Sequence, residues 1–475
     1  MNGEKNGVVL ALMLAMFLGA VEGTVVTTAM PSIVKELNGF SHMNYVFSLY
    51  LLTSAISTPI YGKLSDIYGR KITLCTGIII FLLGSILCGF SHNMYELIAF
   101  RAVQGIGAGA IFTISYTIVG DIFNVSERAK VQGFLSTVWG ISSIGGPFLG
   151  GFLIQYISWH WIFFINIPFG IVSIILLKKY LKENFKKNIV NIDILGLIIL
   201  SLSIIIFLYG IISIEKNSNF YSIFLIALSI GFLIIFYYIE KRAKDPIMPF
   251  EIFTRHNIIA NIVSLLVSAI LIALDVYMPL YIQSILGYSA AISGLAMAPI
   301  SIAWLISSII LSKSISKYGE SLLAFVSSII LLLSCIFLAT LYLKTSLILM
   351  ILYGFIMGFG FGGLFTTLTM IVQESVEYNK RGAATASNSL LRTIGQTIGI
   401  SAFGIIFNLN VSKYFYKLGI TNIDTNNLYS TGKVNLYQIK GALNYGIHIV
   451  FLILIIISII SVFLSYRLLI NSKDA

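Results

Sequence analysis

Four charged residues stand alone inside long uncharged stretches, and two acids with two bases are the ingredients of a site that handles protons or cations. Glu22 is the only charge between Lys5 and Lys35, and Asp275 the only one between Arg255 and Lys313. Arg101 is alone between Glu96 and Asp121, and Arg392 between Arg381 and Lys413. In lipid, inserting such a charge costs at least ~2.5–3.5 kcal/mol, so each needs a partner or a task. Apolar surroundings favour the neutral form of a carboxyl, which can hold a proton until water or a cation arrives. Glu22, at the head of the run Glu22-Gly23-Thr24-Val25-Val26-Thr27-Thr28-Ala29-Met30-Pro31, is therefore the first choice for proton and cation coupling. Asp275 brings a second carboxylate, and its neighbours Tyr277 and Tyr281 suit a lipophilic cation through charge and cation–π contact. Arg101 and Arg392 are strong hydrogen-bond donors, serving either the same machinery or simple helix-to-helix ties. For each acid, too, the plainer alternative is a paired group that only holds helices together.

The elements that must position these charges are membrane spans. Of 475 residues, 57% are hydrophobic and only 10% charged, which excludes a soluble core of any domain count. Uncharged runs of about 20 residues, enough to cross a bilayer, alternate with short basic knots. They predict fourteen segments, at 8–34, 44–61, 72–91, 96–120, 131–154, 160–178, 194–213, 220–240, 257–283, 290–312, 321–343, 345–373, 384–407 and 441–467. With both termini cytoplasmic, inner loops and tails hold 21 of the 30 lysines and arginines and outer loops seven, as the positive-inside rule asks. The net charge of +11 therefore reads as topology and headgroup attraction, with no call for nucleic acid. Cys75, Cys88 and Cys335 fall within spans and read as packing residues, with no disulfide framework or metal-ligand spacing. The first segment is too long for a cleaved signal peptide and is expected to remain as a span.

The stretch Gly62-Lys63-Leu64-Ser65-Asp66-Ile67-Tyr68-Gly69-Arg70-Lys71 is expected as a short loop between antiparallel spans, with Asp66 in reach of Arg70 and Lys71 as a latch. Arg101-Ala102-Val103-Gln104-Gly105-Ile106-Gly107-Ala108-Gly109 is no dinucleotide fingerprint, since no strand precedes it; its glycines read as close helix contacts. In the fifth segment, Gly145, Gly146, Pro147, Gly150 and Gly151 combine close packing with a proline that favours a kink. These three stretches resemble, in turn, the signature loop, the fourth-helix R-x-x-Q-G-x-G motif and the antiporter motif of the major facilitator superfamily, in its fourteen-helix drug:proton antiporter branch. Ser158-Trp159-His160-Trp161-Ile162-Phe163-Phe164-Ile165-Asn166-Ile167-Pro168-Phe169-Gly170 is a further match, with His160 where the family often has arginine.

That resemblance implies an all-α membrane fold of two six-helix bundles with two additional central helices. Residues 1–180 would form the first bundle, 181–250 the inserted pair with its basic flanks, and 251–475 the second bundle. Internal repetition agrees: Lys63, Tyr68 and Gly69 fall on Lys313, Tyr318 and Gly319, and Gly105, Gly107 and Gly109 on Gly358, Gly360 and Gly362. Arg128 falls on Arg381, while Ser316 stands where the first copy has Asp66. The implied activity is export of lipophilic, cationic drugs across a bacterial cytoplasmic membrane by alternating access, driven by protons, in a monomer surrounded by lipid. Each charge crossing the field supplies ~2.3 kcal/mol per 100 mV, and no nucleotide-binding loop offers ATP instead. No cofactor, metal or catalytic set is implied. Tetracycline or an endogenous metabolite such as a siderophore or lipid is the alternative cargo, and a receptor without transport the more distant one. Tyr50, Phe112, Tyr116, Trp139, Tyr281 and Trp304 are the aromatic residues expected to line a substrate pocket.

Overall fold

A computed structural model describes residues 3–123, 125–183, 193–216, 219–243, 250–343, 345–377, 381–420 and 435–471. The described chain is all-helical. Its α-helices are α1 (Gly3–Leu37), α2 (Met43–Tyr68), α3 (Arg70–Gly89), α4 (Met94–Ile122), α5 (Val125–Tyr156), α6 (Trp161–Phe164), α7 (Asn166–Tyr180), α8 (Ile194–Lys216) and α9 (Asn219–Glu240). They continue with α10 (Arg255–Leu280), α11 (Ala290–Tyr318), α12 (Glu320–Ala339), α13 (Leu347–Glu374), α14 (Arg381–Lys417) and α15 (Leu436–Asn471). Among the described residues, eleven helices are long and apolar enough to cross a membrane, with α6 and α7 counted as one.

Local chemistry starts these helices. Before α4, Asn93 Oδ1 accepts from the Glu96 amide at 2.9 Å while Glu96 Oε2 accepts from the His92 amide at 2.9 Å, a reciprocal cap. Thr254, Ser289 and Ser346 cap α10, α11 and α13 with side-chain oxygens in the same way.

The expected loop at 62–71 is instead mostly helix. Gly62 lies inside α2, Ser65 Oγ donates back to the Gly62 carbonyl at 2.7 Å, and only Gly69 interrupts the helices, at φ +92°. One left-handed glycine turns the chain, because that conformation costs glycine little. Gly319 does the same between α11 and α12, at φ +75°. The helices on either side of the gap between the expected spans 384–407 and 441–467 also reach into it. α14 runs on to Lys417 and α15 starts at Leu436, and residues 421–434 lie outside the described ones.

The chain divides into two compact units. The first comprises 1–38, 45–207 and 224–247, the second 39–44, 208–223 and 248–475. In the first, α1 packs on α5 and α7, and α3 on α4 and α7. In the second, α11 packs on α13, α12 on α13 and α15, and α10 on α14 and α15.

Each unit uses the same glycine triplet to bring three helices together. A Cβ on Gly105 would strike the Tyr50 carbonyl and Thr53 Oγ1 of α2; one on Gly109 would lie 2.7 Å from the Ser54 carbonyl. Gly107 points the other way, against the Phe81 amide of α3. In the second unit Gly358 and Gly362 meet the carbonyls of Ile300 and Trp304 on α11, and Gly360 meets the Leu331 amide of α12. Residues four apart share a helix face and the one between them looks away, so a single G-x-G-x-G run serves two neighbours.

Candidate functional site

The first unit gathers polar side chains from four apolar helices into one buried cluster. Glu22 of α1 accepts from Arg101 Nη1 of α4 at 2.5 Å through Oε1, and from Asn166 Nδ2 of α7 at 2.7 Å through Oε2. The ion pair is almost wholly enclosed, with each residue 1% exposed. Arg101 Nη1 also donates to Gln104 Oε1 at 2.7 Å, and Nε to the Val46 carbonyl at 3.3 Å. Its guanidinium lies 4.0 Å from the centre of the Tyr50 ring. Ser85 of α3 ties the outer ring together: its Oγ accepts from Asn166 Nδ2 at 3.0 Å and Gln104 Nε2 at 3.3 Å, and donates to the Phe163 carbonyl at 2.8 Å.

This arrangement explains why two charges persist in an apolar interior. Each carboxylate oxygen has a donor, and the guanidinium has a carboxylate, an amide oxygen, a backbone carbonyl and an aromatic face. A pair so enclosed adds little net stability, but removing one partner strands the other at a cost of ~3–5 kcal/mol.

The antiporter-motif glycines sit directly beside it. Gly146 and Gly150 admit α1 at Thr24 and Val25, two and three residues past Glu22, where a Cβ on Gly150 would lie 3.1 Å from the Val25 carbonyl. Thr24 Oγ1 donates across this contact to the Ser142 carbonyl at 3.2 Å. Gly145 faces open space, Gly151 is buried, and Pro147 lies within an α5 that continues through it.

At the junction of α2 and α3, the acid that organises the described groups is Glu183. Its two oxygens accept the Arg70 and Lys71 amides at 2.7 and 3.1 Å, capping the first turn of α3, where negative charge is favoured. The Arg70 side chain donates to Asp121 Oδ2 at 3.0 Å and Ser65 Oγ at 2.5 Å, and Lys71 Nζ donates to the Lys178 and Leu181 carbonyls, both at 2.9 Å. The side chain of Asp66, the expected latch, lies outside the described ones, as does that of Trp139.

The second unit holds its charges differently. Asp275 is half-buried on α10 and makes no hydrogen bond or ion pair among the described residues. Arg392 of α14 donates from Nη2 to Thr369 Oγ1 at 2.8 Å and the Phe365 carbonyl at 3.2 Å. Its guanidinium stands 4.4 Å from the Phe365 ring centre, and Trp304 stacks on that ring at 5.1 Å. Nearby, buried amides form a chain: Asn388 Nδ2 donates to Asn261 Oδ1 at 2.8 Å and Ser264 Oγ at 3.0 Å, and Asn261 Nδ2 to Asn257 Oδ1 at 2.5 Å.

The aromatic residues expected at a pocket are spread through the two units. Tyr50 covers Arg101, Phe112 is half-buried opposite Gly19, and Tyr116 is 45% exposed. Tyr281 is fully buried and its hydroxyl donates to the Tyr342 carbonyl. Asn166, Ser85 and Glu183 were not singled out in the sequence, although Asn166 stands within a quoted family match. Among the described residues no three His, Cys, Asp or Glu side chains converge as a metal site.

Residues 12–400 match the family model described as Major Facilitator Superfamily, well over half of the chain. The chain belongs to this superfamily. Its relatives in the superfamily include multidrug transporter protein MdtP of Bacillus subtilis (strain 168), 34% identical over 86% of this chain and 76% of that protein. Multidrug resistance protein 3 of the same organism is 36% identical over 84% of this chain and 79% of the relative. The multidrug efflux pump SdrM of Staphylococcus aureus (strain N315) is 29% identical, over 84% and 89%. A major facilitator fold is also what the solved structures give. The crystal structure of a bacterial homolog to the human lysosomal transporter Spinster matches with a TM-score of 0.71 at 14% identity, covering 99% of this chain and 98% of that one. The xylose transporter XylE from E. coli matches at 0.60 and 12%, covering 97% of each.

Proposed function

We propose that this protein is a proton-driven efflux transporter that exports lipophilic, cationic drugs across a bacterial cytoplasmic membrane by alternating access. The relatives named as multidrug transporters support drug export. The observation that carries proton coupling is the Glu22–Arg101 pair, 2.5 Å apart and 1% exposed. A proton arriving on Glu22 removes the charge that holds Arg101. The guanidinium then keeps only Gln104, the Val46 carbonyl and the Tyr50 face, and α1 is freed to shift against α4. Because Thr24 and Val25 follow immediately on α1, that shift is passed to the glycine face of α5. In this reading the chain crosses the membrane fourteen times, as six helices, an inserted pair and six more, with both termini cytoplasmic. It works as a monomer in lipid and needs no cofactor beyond the proton gradient.

The experiment is dissipation of an inside-acid gradient in everted vesicles when ethidium, a quaternary dye or tetracycline is added. The expected result is proton release with the dyes, abolished by Glu22→Gln in protein that still folds. Full activity in Glu22→Gln removes Glu22 from the mechanism, and a response to tetracycline alone replaces the broad cationic cargo with a narrow one.

A further inference from the structure

The polar side chains around Glu22 close a ring. Glu22 accepts from Arg101 and Asn166, Arg101 donates to Gln104, and Gln104 and Asn166 both donate to Ser85. The Asn166 nitrogen spends both of its hydrogens here, one on Glu22 Oε2 and one on Ser85 Oγ. With two donors on its oxygen, the Ser85 hydroxyl has its own hydrogen left for the Phe163 carbonyl at 2.8 Å. That carbonyl lies where the chain is irregular. The Trp161, Ile162 and Phe163 amides each donate three residues back, in tight 3₁₀ spacing, and α6 ends at Phe164, with Ile165 between it and the start of α7. Pro168 lacks the amide that would reach the Phe164 carbonyl. The Ser85 hydroxyl is thus a polar tie from α3 to a weak join between α6 and α7.

A proton added to Glu22 does not fit this ring as it stands. On Oε1 it would face Arg101, which can only donate. It therefore belongs on Oε2, opposite Asn166, whose amide can turn and offer Oδ1 in place of Nδ2. The turned oxygen also faces Ser85 Oγ and repels its lone pairs until the hydroxyl swings round to donate to it. Gln104 can go on donating to Ser85, but the Phe163 carbonyl loses this partner. We infer that Asn166 reads the proton on Glu22, and that its turned amide draws the Ser85 hydroxyl off the Phe163 carbonyl and releases the join of α6 and α7 from α3. This rests on the reading of Glu22 as the proton carrier and adds a second outlet for the proton's effect, beside the loosening of Arg101. The charged and titratable groups facing Glu22 are Arg101 of α4, Tyr50 of α2 and Cys88 of α3. All three hold their protons at neutral pH and below, and α5 and α7 meet α1 here through the uncharged Ser142 and Asn166. Glu22 alone is left to take a proton up.

The test is hydrogen–deuterium exchange of the purified full-length protein, read by mass spectrometry over residues 158–170 in alkaline and in acidic buffer and corrected for the intrinsic pH dependence of exchange. In the wild type, which requires no variant to fold, acid is expected to speed exchange there about fivefold, the worth of one net hydrogen bond. The variants should abolish the acid response with opposite signs. Ser85→Ala leaves the Phe163 carbonyl without its tie at every pH and is expected to be fast, as is Glu22→Gln, which is always neutral. Asn166→Leu has no amide to turn, leaves the Ser85 hydroxyl on the carbonyl and is expected to be slow. Asn166→Gln, which keeps an amide that can turn, should retain part of the response. A merely structural role would instead make Asn166→Leu faster in both buffers and leave its acid response in place. An acid response retained in Asn166→Leu, or absent from a wild type whose vesicles still release protons through Glu22, overturns the reader and leaves the export reading standing. An acid response that survives in Glu22→Gln overturns the placing of the proton on Glu22.

Discussion

The two units solve helix packing identically and charge burial oppositely. Gly105 and Gly358 each press a backbone against a carbonyl of the preceding hairpin, of Tyr50 and of Ile300. One turn from Gly105, Arg101 neutralises Glu22 in the first unit, whereas in the second Asp275 has no ion-pair partner among the described residues. The glycine contacts are backbone to backbone and do not depend on the neighbouring side chains. Charge therefore differs between the units while the helix spacing is kept. The lesson is that an intramembrane charge is interpreted by its partner, not by its presence: the same residue class is internal wiring in one unit and an open valence in the other.

The comparison can be broken most decisively at the acids themselves. Glu22→Gln and Arg101→Ala each strand a buried partner, and each is expected to lower stability by ~3–5 kcal/mol, read as thermal unfolding in detergent. Exchanging both for uncharged residues should recover a large part of that loss. Asp275→Asn removes an unpaired charge and should leave stability unchanged or raise it. Equal destabilisation by Glu22→Gln and Asp275→Asn would abolish the distinction between the units.

The shared part of the comparison makes a smaller prediction. Gly105→Ala and Gly358→Ala each push a methyl into a carbonyl and should cost a similar ~1–3 kcal/mol; a tolerated substitution in one unit alone would end the equivalence of the contacts. The smallest effect belongs to Thr369→Val, which deprives Arg392 of one acceptor and should cost ~0.5–1.5 kcal/mol, because the Phe365 carbonyl and ring remain.

Isolated charge made Glu22, Arg101, Asp275 and Arg392 legible in the sequence, since a lone ion in a long apolar run is conspicuous. The glycine triplets were legible as helix contacts for a similar reason. What was not legible was who meets whom. Asn166 and Ser85 are short polar residues of a kind scattered through every helix here, and only the convergence of α1, α3, α4 and α7 separates them from the rest. Glu183 was hidden because it sits in a basic stretch read as a connector, while its carboxylate caps a helix 113 residues earlier in the chain. Gly62 and Gly69 look alike as letters, yet only Gly69 adopts the left-handed conformation, so the ten-residue loop contracts to a one-residue turn. Tyr50 and Trp304 read equally well as pocket walls, but one covers the Arg101 guanidinium and the other lies on the Phe365 ring that supports Arg392.

The carboxylate of Glu183 on the first turn of α3 has a mechanical consequence. The segment that follows α7 grips the start of α3 by two main-chain amides, while Lys71 returns the grip onto the Lys178 and Leu181 carbonyls. Two helix ends far apart in the chain are buckled at a single point, by bonds that no exchange of the Arg70 or Lys71 side chain can fully undo. A force applied to α7 must therefore carry α3, and with it the glycine-locked α2 and α4, as one piece.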